Sequence, residues 1–259
     1  MESDQVITVG VLTPHAATGP EAELPDLAPG WVRVAVSRTR PAASRSARAA
    51  GGPTSASDLR TQAGPLALDE AASVLVPGVD VLAFASTGSG YALGYDEESA
   101  LVRRLRDRWD VPVCATSLAA VSALRSRDVT RVSIVHPPWF GPSLNDLGAE
   151  YFRSQGFEVV DARLADLPDG PELIRPAMVV DWVARQLCDR AEAVFLGGNG
   201  FRAARAVHPL ECRTGRLVVE ANQVLLWSVL EHTEVPVIVR GFGKLFDDRQ
   251  PDGNTMKEN

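Results

Sequence analysis

The chain has 259 residues, 45% of them hydrophobic and 23% charged, with a net charge of −7; this is the range of a compact globular protein, one large domain or two intimate halves. Its arginines are dispersed, so the basic stripe needed to bind a phosphate backbone is missing and nucleic acid is excluded as a partner. No apolar run approaches the roughly 18 residues that span a bilayer, and the opening MESDQ is acidic where a signal peptide is basic; the expectation is a cytoplasmic protein without a membrane partner.

Short β-branched runs recur along the chain: QVITVGVL, WVRVAVS, VDVLAFAS, VPVCATS, VTRVSIVHP, FEVVDARL, AEAVFLGG, RLVVEA and VPVIVRG. Apolar spacing predicts helices between them near 97 to 109, 117 to 126, 143 to 155, 173 to 189 and 220 to 232. In the last, Val224, Leu225, Trp227, Val229 and Leu230 form a wide apolar stripe suited to packing on a sheet. The alternation predicts an α/β fold of βαβ units on mostly parallel sheets. Residues 40 to 57, rich in Ala, Ser, Gly and Pro, read as a mobile loop, and the polar stretch from about 247 to 259 as a flexible tail.

Two segments share one grammar. VDVLAFASTGSGYALG at 79 to 94 and AEAVFLGGNGFRAARA at 191 to 206 each give an acidic residue, a buried strand, a Gly-rich turn, an aromatic and small residues opening a helix. Each turn is expected at the carboxyl end of a sheet, where open α/β sheets bind ligands. The expected organisation is a first half of 1–115 with 220–246, a second half of 116–219, and a central cleft between them.

Several chemistries can be weighed on residue pattern. Gly198, Gly200 and Ala203, followed by Glu220, match a dinucleotide fingerprint, but fewer than 40 residues remain to complete that architecture. No P-loop or nucleophile elbow is present. His15, His136, His208 and His232 lack metal-ligand spacing, so no metal is expected, and Cys114, Cys188 and Cys212 suit neither a zinc site nor a disulfide framework. His15 in GVLTPHA and His136 in VSIVHPP each follow an apolar strand, where a histidine can shuttle a proton or serve as a hydrogen-bonded structural group.

GVLTPHAATGPEAE at 10 to 23, AFASTGSGYALG at 83 to 94, VPVCATSLAAVSAL with VSIVHPP, and VFLGGNGFRAARAVHPLE with ANQVLLW together resemble the aspartate/glutamate racemase superfamily, in its branch of maleate cis-trans isomerases and arylmalonate decarboxylases. The resemblance implies two similar α/β halves around a cleft and chemistry without cofactors on a small carboxylate. It also implies one cysteine from each half beside the substrate, or only the second in the decarboxylases. Those positions fall on Ser86 and Gly198, and a family tyrosine falls on Pro138.

A serine hydroxyl is far harder to ionise than a thiol of pKa about 8.5 and needs an adjacent base. The candidate catalytic residues are therefore His15, His136 and Ser86. Pro14, Thr87, Gly88, Gly198, Asn199, Gly200 and Asn222 are candidate substrate-binding residues, with N–H groups that can hold an enolate-like anion. Gln223 offers a further polar contact, Asn222 also reads as a helix N-cap, and Glu23 as a residue at the cleft mouth or in solvent. The leading expectation is a cofactor-independent isomerase or lyase, a decarboxylase included. The rivals are a catalytically lapsed carboxylate-binding protein and a nicotinamide-dependent oxidoreductase. A homo-oligomer is an open possibility.

Overall fold

A computed structural model describes residues 6–16, 18–39, 55–233 and 235–249. The first sheet contains β1 (Ile7–Thr13), β2 (Val32–Arg38), β3 (Val81–Phe84) and β4 (Val113–Ala115), in the order β2-β1-β3-β4. The second contains β5 (Arg131–His136), β6 (Glu158–Leu164), β7 (Ala193–Leu196) and β8 (Leu217–Glu220), in the matching order β6-β5-β7-β8. Every pairing is parallel. The inner strands β3 and β7 are apolar and buried at every position, as parallel strands covered on both faces require. The outer strands β2 and β6 carry Arg33, Arg38, Glu158, Asp161 and Arg163, charges suited to an edge.

Ten helices connect these strands among the described residues: α1 (Pro20–Leu27), α2 (Ala56–Gln62), α3 (Pro65–Ser73), α4 (Thr87–Leu93), α5 (Tyr95–Trp109), α6 (Thr116–Arg125), α7 (Gly141–Ser154), α8 (Pro176–Gln186), α9 (Ala204–Thr214) and α10 (Ala221–Glu231). Local signals account for several ends. Ser55 caps α2, Pro65 and Pro176 open α3 and α8, and α5 starts on Asp96, Glu97 and Glu98 and ends on Arg106 and Arg108, in line with its dipole.

The last helix of each sheet's run crosses to the other sheet. From α6, Ala120, Val121 and Leu124 pack with Val132, Ile134, Phe152 and Phe195 of the second half. From α10, Leu225, Leu226, Val229 and Leu230 pack with Val9, Val11, Val81 and Ala83 of the first. Burying each large aliphatic side chain contributes about 1.5–3 kcal/mol, so this exchange is a main source of cohesion between the halves. Lined on nearly every side by buried residues, α10 is apolar almost all round.

Three expectations need correction. VPVIVRG forms no strand: Val235, Val237 and Val239 are buried, but Val237 N–H turns back to Val235 O at 2.8 Å, and Pro236 has no N–H for a ladder. Of the loop expected over 40 to 57, Ser55 to Ser57 instead form the capped start of α2, while 40–54 lie outside the described residues. Lys244–Arg249 is a short 3-10 helix, so the expected tail from 247 starts inside it and 250–259 lie outside the described residues.

In each sheet the strand order reverses direction between β1 and β3, and between β5 and β7. The turns that follow those four strands are the switch-point loops where α/β sheets take ligands. They hold Pro14 and His15, Ser86 to Gly88, His136, and Gly197 to Gly200.

Candidate active site

The turns after β3 and β7 meet directly. Thr87 donates from its backbone N–H and from its hydroxyl to Asn199 Oδ1, both at 3.0 Å, and Thr87 Oγ1 accepts from Gly198 N–H at 3.1 Å. Asn199 Nδ2 in turn donates to Thr116 Oγ1 at 3.0 Å and to Asn222 Oδ1 at 2.9 Å. Thr87, Thr116, Asn199 and Asn222 are each wholly buried. The two halves are thus clasped by a set of amides and hydroxyls in which both atoms of the Asn199 amide hold two partners.

Asn222 continues the set towards α1. Its Nδ2 donates to Glu23 Oε2 at 2.7 Å and to Asn199 O at 2.9 Å, and Glu23 Oε1 accepts from Ala204 N–H, at the start of α9, at 3.1 Å. Glu23 is therefore buried at the junction of the halves and not at a cleft mouth or in solvent. Nor is Asn222 an N-cap: Glu220 caps α10, accepting from the N–H groups of Asn222 and Gln223 through Oε2, while Gln223 reaches back to Glu220 N–H. Burial lifts the Glu23 carboxyl to about 7, and burial with the nearby Glu23 charge raises Glu220 well above the ordinary range.

The histidines are not brought together. His136 is wholly buried, with Nδ1 2.9 Å from Asn145 Oδ1 and Nε2 3.0 Å from Tyr91 Oη, and its ring stacks on Phe140. Because Asn145 Nδ2 donates to Ala162 O, its oxygen faces His136, which fixes the proton on Nδ1 and leaves Nε2 to accept from Tyr91. Burial holds His136 at about 4.

His15 is half-buried beyond β1, next to Pro14; its carbonyl takes Arg38 Nε at 2.8 Å and its Nε2 has no hydrogen-bond partner. Burial, then the Arg38 charge, lowers it to about 4. Gly19, before α1, packs so closely on the Asn199 carbonyl that a Cβ there would lie 2.6 Å from it.

Ser86 engages Ser89. Its hydroxyl donates to Ser89 Oγ at 2.7 Å and accepts Ser89 N–H at 3.2 Å, as the N-cap of α4. Gly88 packs under Leu59 and Leu144, where a Cβ would lie 3.0 Å from Leu59 Cδ1 and 3.2 Å from Leu144 Cδ2, and Gly200 is half-buried in the turn before α9. The dinucleotide pattern is absorbed structurally: the Ala204 N–H that would face a phosphate is taken by Glu23, and Glu220 is a helix cap.

Tyr91, Asn145 and Thr116 escaped sequence reasoning. Thr116 was within reach, since it follows β4 as Ala221 follows β8, and strand ends were the criterion for the others. Among the described residues no cluster of His, Cys, Asp or Glu has the arrangement of a metal site, and no helix is long and apolar enough to cross a membrane.

Two parallel four-stranded sheets of identical order, meeting through their switch-point turns, are the α/β fold of maleate isomerases and arylmalonate decarboxylases, and sequence likeness places the chain in that branch of the aspartate/glutamate racemase superfamily. The chain belongs to the arylmalonate decarboxylase family, which its residues 66–246 match. A maleate isomerase of Pseudomonas putida is 30% identical over 175 residues, 64% of this chain and 69% of that protein.

Among solved structures, a maleate isomerase from Pseudomonas putida superposes with a TM-score of 0.79 at 22% identity, covering 95% of this chain and 100% of the other. An unliganded arylmalonate decarboxylase gives 0.77 at 19%, covering 94% and 100%. The maleate cis-trans isomerase of Nocardia farcinica gives 0.78 at 22%, covering 94% and 99%. Membership places the chain in a family of isomerases and decarboxylases.

Proposed function

We propose that the protein is a cofactor-independent isomerase or decarboxylase of a small carboxylic acid, working through an enolate-like intermediate without a thiol at residues 86 and 198. The observation that carries this reading is the Thr87 turn. Its N–H and hydroxyl converge on one oxygen, Asn199 Oδ1, at 3.0 Å each. A carboxylate oxygen accepts the same pair of bonds, and a carboxylate that becomes an enediolate gains charge where these donors point. Asn199 occupies the ligand's place and swings aside when the acid enters, leaving the Thr87 donors to it.

His15 moves the proton in this scheme. It is neutral above about 4, and its Nε2 has no protein partner to displace. His136 is held at both nitrogens and orients Tyr91, and Ser86 caps α4. The acids to try first are those named by the relatives, maleate and an arylmalonate such as phenylmalonate.

A second reading, a lapsed enzyme that only binds such acids, is favoured by the Asn199 amide, whose oxygen and nitrogen both already hold two partners. Incubation with each acid in deuterium oxide, followed by proton NMR, separates the two. Conversion, or deuterium uptake beside the carboxylate, is expected, with turnover falling about 100-fold or more in Thr87→Ala and strongly in His15→Ala while binding persists. Binding without conversion supports the lapsed reading, and full turnover in His15→Ala removes its role.

A further inference from the structure

A line of hydrogen bonds of one polarity joins the Thr87 turn to α1. Thr87 N–H donates to Asn199 Oδ1 at 3.0 Å, Asn199 Nδ2 to Asn222 Oδ1 at 2.9 Å, and Asn222 Nδ2 to Glu23 Oε2 at 2.7 Å. Each amide orientation is fixed by a backbone group that has only one role. The Thr87 N–H can only donate, so Asn199 turns its oxygen to it. The Asn199 carbonyl can only accept, and it receives Asn222 Nδ2 at 2.9 Å. Asn222 therefore points its nitrogen at Glu23, and the line must end on an acceptor. Both Glu23 oxygens face donors, the second being Ala204 N–H.

We infer that Glu23 is a positioning residue of the carboxylate site: ionised, it locks Asn222 and Asn199 in the orientation that occupies the Thr87 donors, and neutralised, it releases them to a small carboxylate. This rests on the function proposed above and adds its control. A charged acceptor holds Asn222 Nδ2 more strongly than a neutral one. A protonated Glu23 keeps only a neutral oxygen for Asn222 Nδ2, so the line is held more weakly and Asn199 is displaced more readily from the Thr87 donors. Entry of the acid is thereby coupled to uptake of a proton at Glu23.

The surroundings of Glu23 set where this happens. It faces Glu220 from the start of α10, Arg202 from the loop before α9, and Asp26 along α1, which pairs with Arg205. Burial is the dominant influence and lifts Glu23 to about 7, against the hydrogen bonds and Arg202. Carboxylate binding should therefore tighten as pH falls through neutrality.

The first arm of the test uses the free protein. Asparagine occurs five times in the chain, so selective nitrogen-15 labelling gives few side-chain amide signals. Between about pH 8.5 and 5.5 the Asn199 and Asn222 signals are expected to move together, with one midpoint, while Asn145 stays still. In Glu23→Gln neither should titrate. In Asn222→Ser, which keeps Glu23 but cuts the line, Asn199 should stop titrating. Signals that stay still in the wild type, or titrate unchanged in either variant, overturn the inference.

The second arm is calorimetry with maleate and phenylmalonate. Affinity should rise about tenfold from pH 8 to pH 6 with proton uptake, and Glu23→Gln should abolish that dependence. If the amides titrate but neither acid binds, the control line stands and the proposed substrate class falls. If the acids bind without pH dependence and the amides stay still, the class stands and the control falls.

Discussion

Position 198 cannot take a side chain cheaply. Gly198 has φ +97, a left-handed backbone that L residues rarely adopt, and a Cβ there would lie 3.0 Å from both Cγ and Cδ of Pro137 and 3.4 Å from Phe140. Gly198→Ala is expected to lower stability by about 1–3 kcal/mol in urea unfolding; an unchanged midpoint would mean that the Pro137 turn yields. The positions of His15, Ser86, His136 and Gly198 were legible because each closes an apolar strand. Their partners were not, because contacts such as Thr87 with Asn199, 112 residues apart, exist only once the halves meet. Cues of sequence spacing cannot anticipate them.

At the scale of elements, α10 ties the second half to the first sheet. Leu226 is fully buried on the first sheet although its helix leaves the second. Leu226→Ala is therefore expected to cost about 2–5 kcal/mol and to loosen both halves in one cooperative transition, followed by urea unfolding with tryptophan fluorescence. Two separate transitions would show that the exchange does not couple them. Eight of the nine expected strands were readable, the inner ones as continuous buried apolar runs and the edge strands β2 and β6 as β-branched runs broken by charges. VPVIVRG has the same composition, but its Val235, Val237 and Val239 pack against α10 without pairing to a strand, and composition does not report a partner.

The whole molecule buries titratable groups of both kinds, and their effects on stability oppose each other. His15 and His136 are held at about 4, below 6.5, so the unfolded chain takes protons that the folded one refuses, and stability falls as pH drops from 6.5 towards 4. Glu23 at about 7 and Glu98 at about 8 act in the other direction. Their contribution is complete below the usual carboxylate range and is lost as pH rises through 7 and 8. Between about 4.5 and 6.5 the two histidines offset two of the three raised carboxyls, Glu220 being the third, so the melting temperature should fall gently there as pH rises and more steeply above 6.5. Glu98, wholly buried and bonded by Tyr151, dominates the alkaline side together with Glu23 and Glu220. In Glu98→Gln the alkaline decline should become shallower, and a melting temperature that climbs steadily to pH 9 would contradict this account.

The sequence by itself determined the α/β class, the strand and major helix segments, the repeated half and the turns that carry the candidate site. These follow from local periodicity and from strand ends, which a chain displays without being folded. Only the tertiary structure decided that the two turns clasp each other, that Glu23 is buried between them and that His136 is fixed by Tyr91 and Asn145. It also decided that the two last helices exchange sheets. Each of these depends on the free energy of burying groups distant in sequence against one another: a polar side chain is driven to its partner by the cost of leaving it unpaired in the interior.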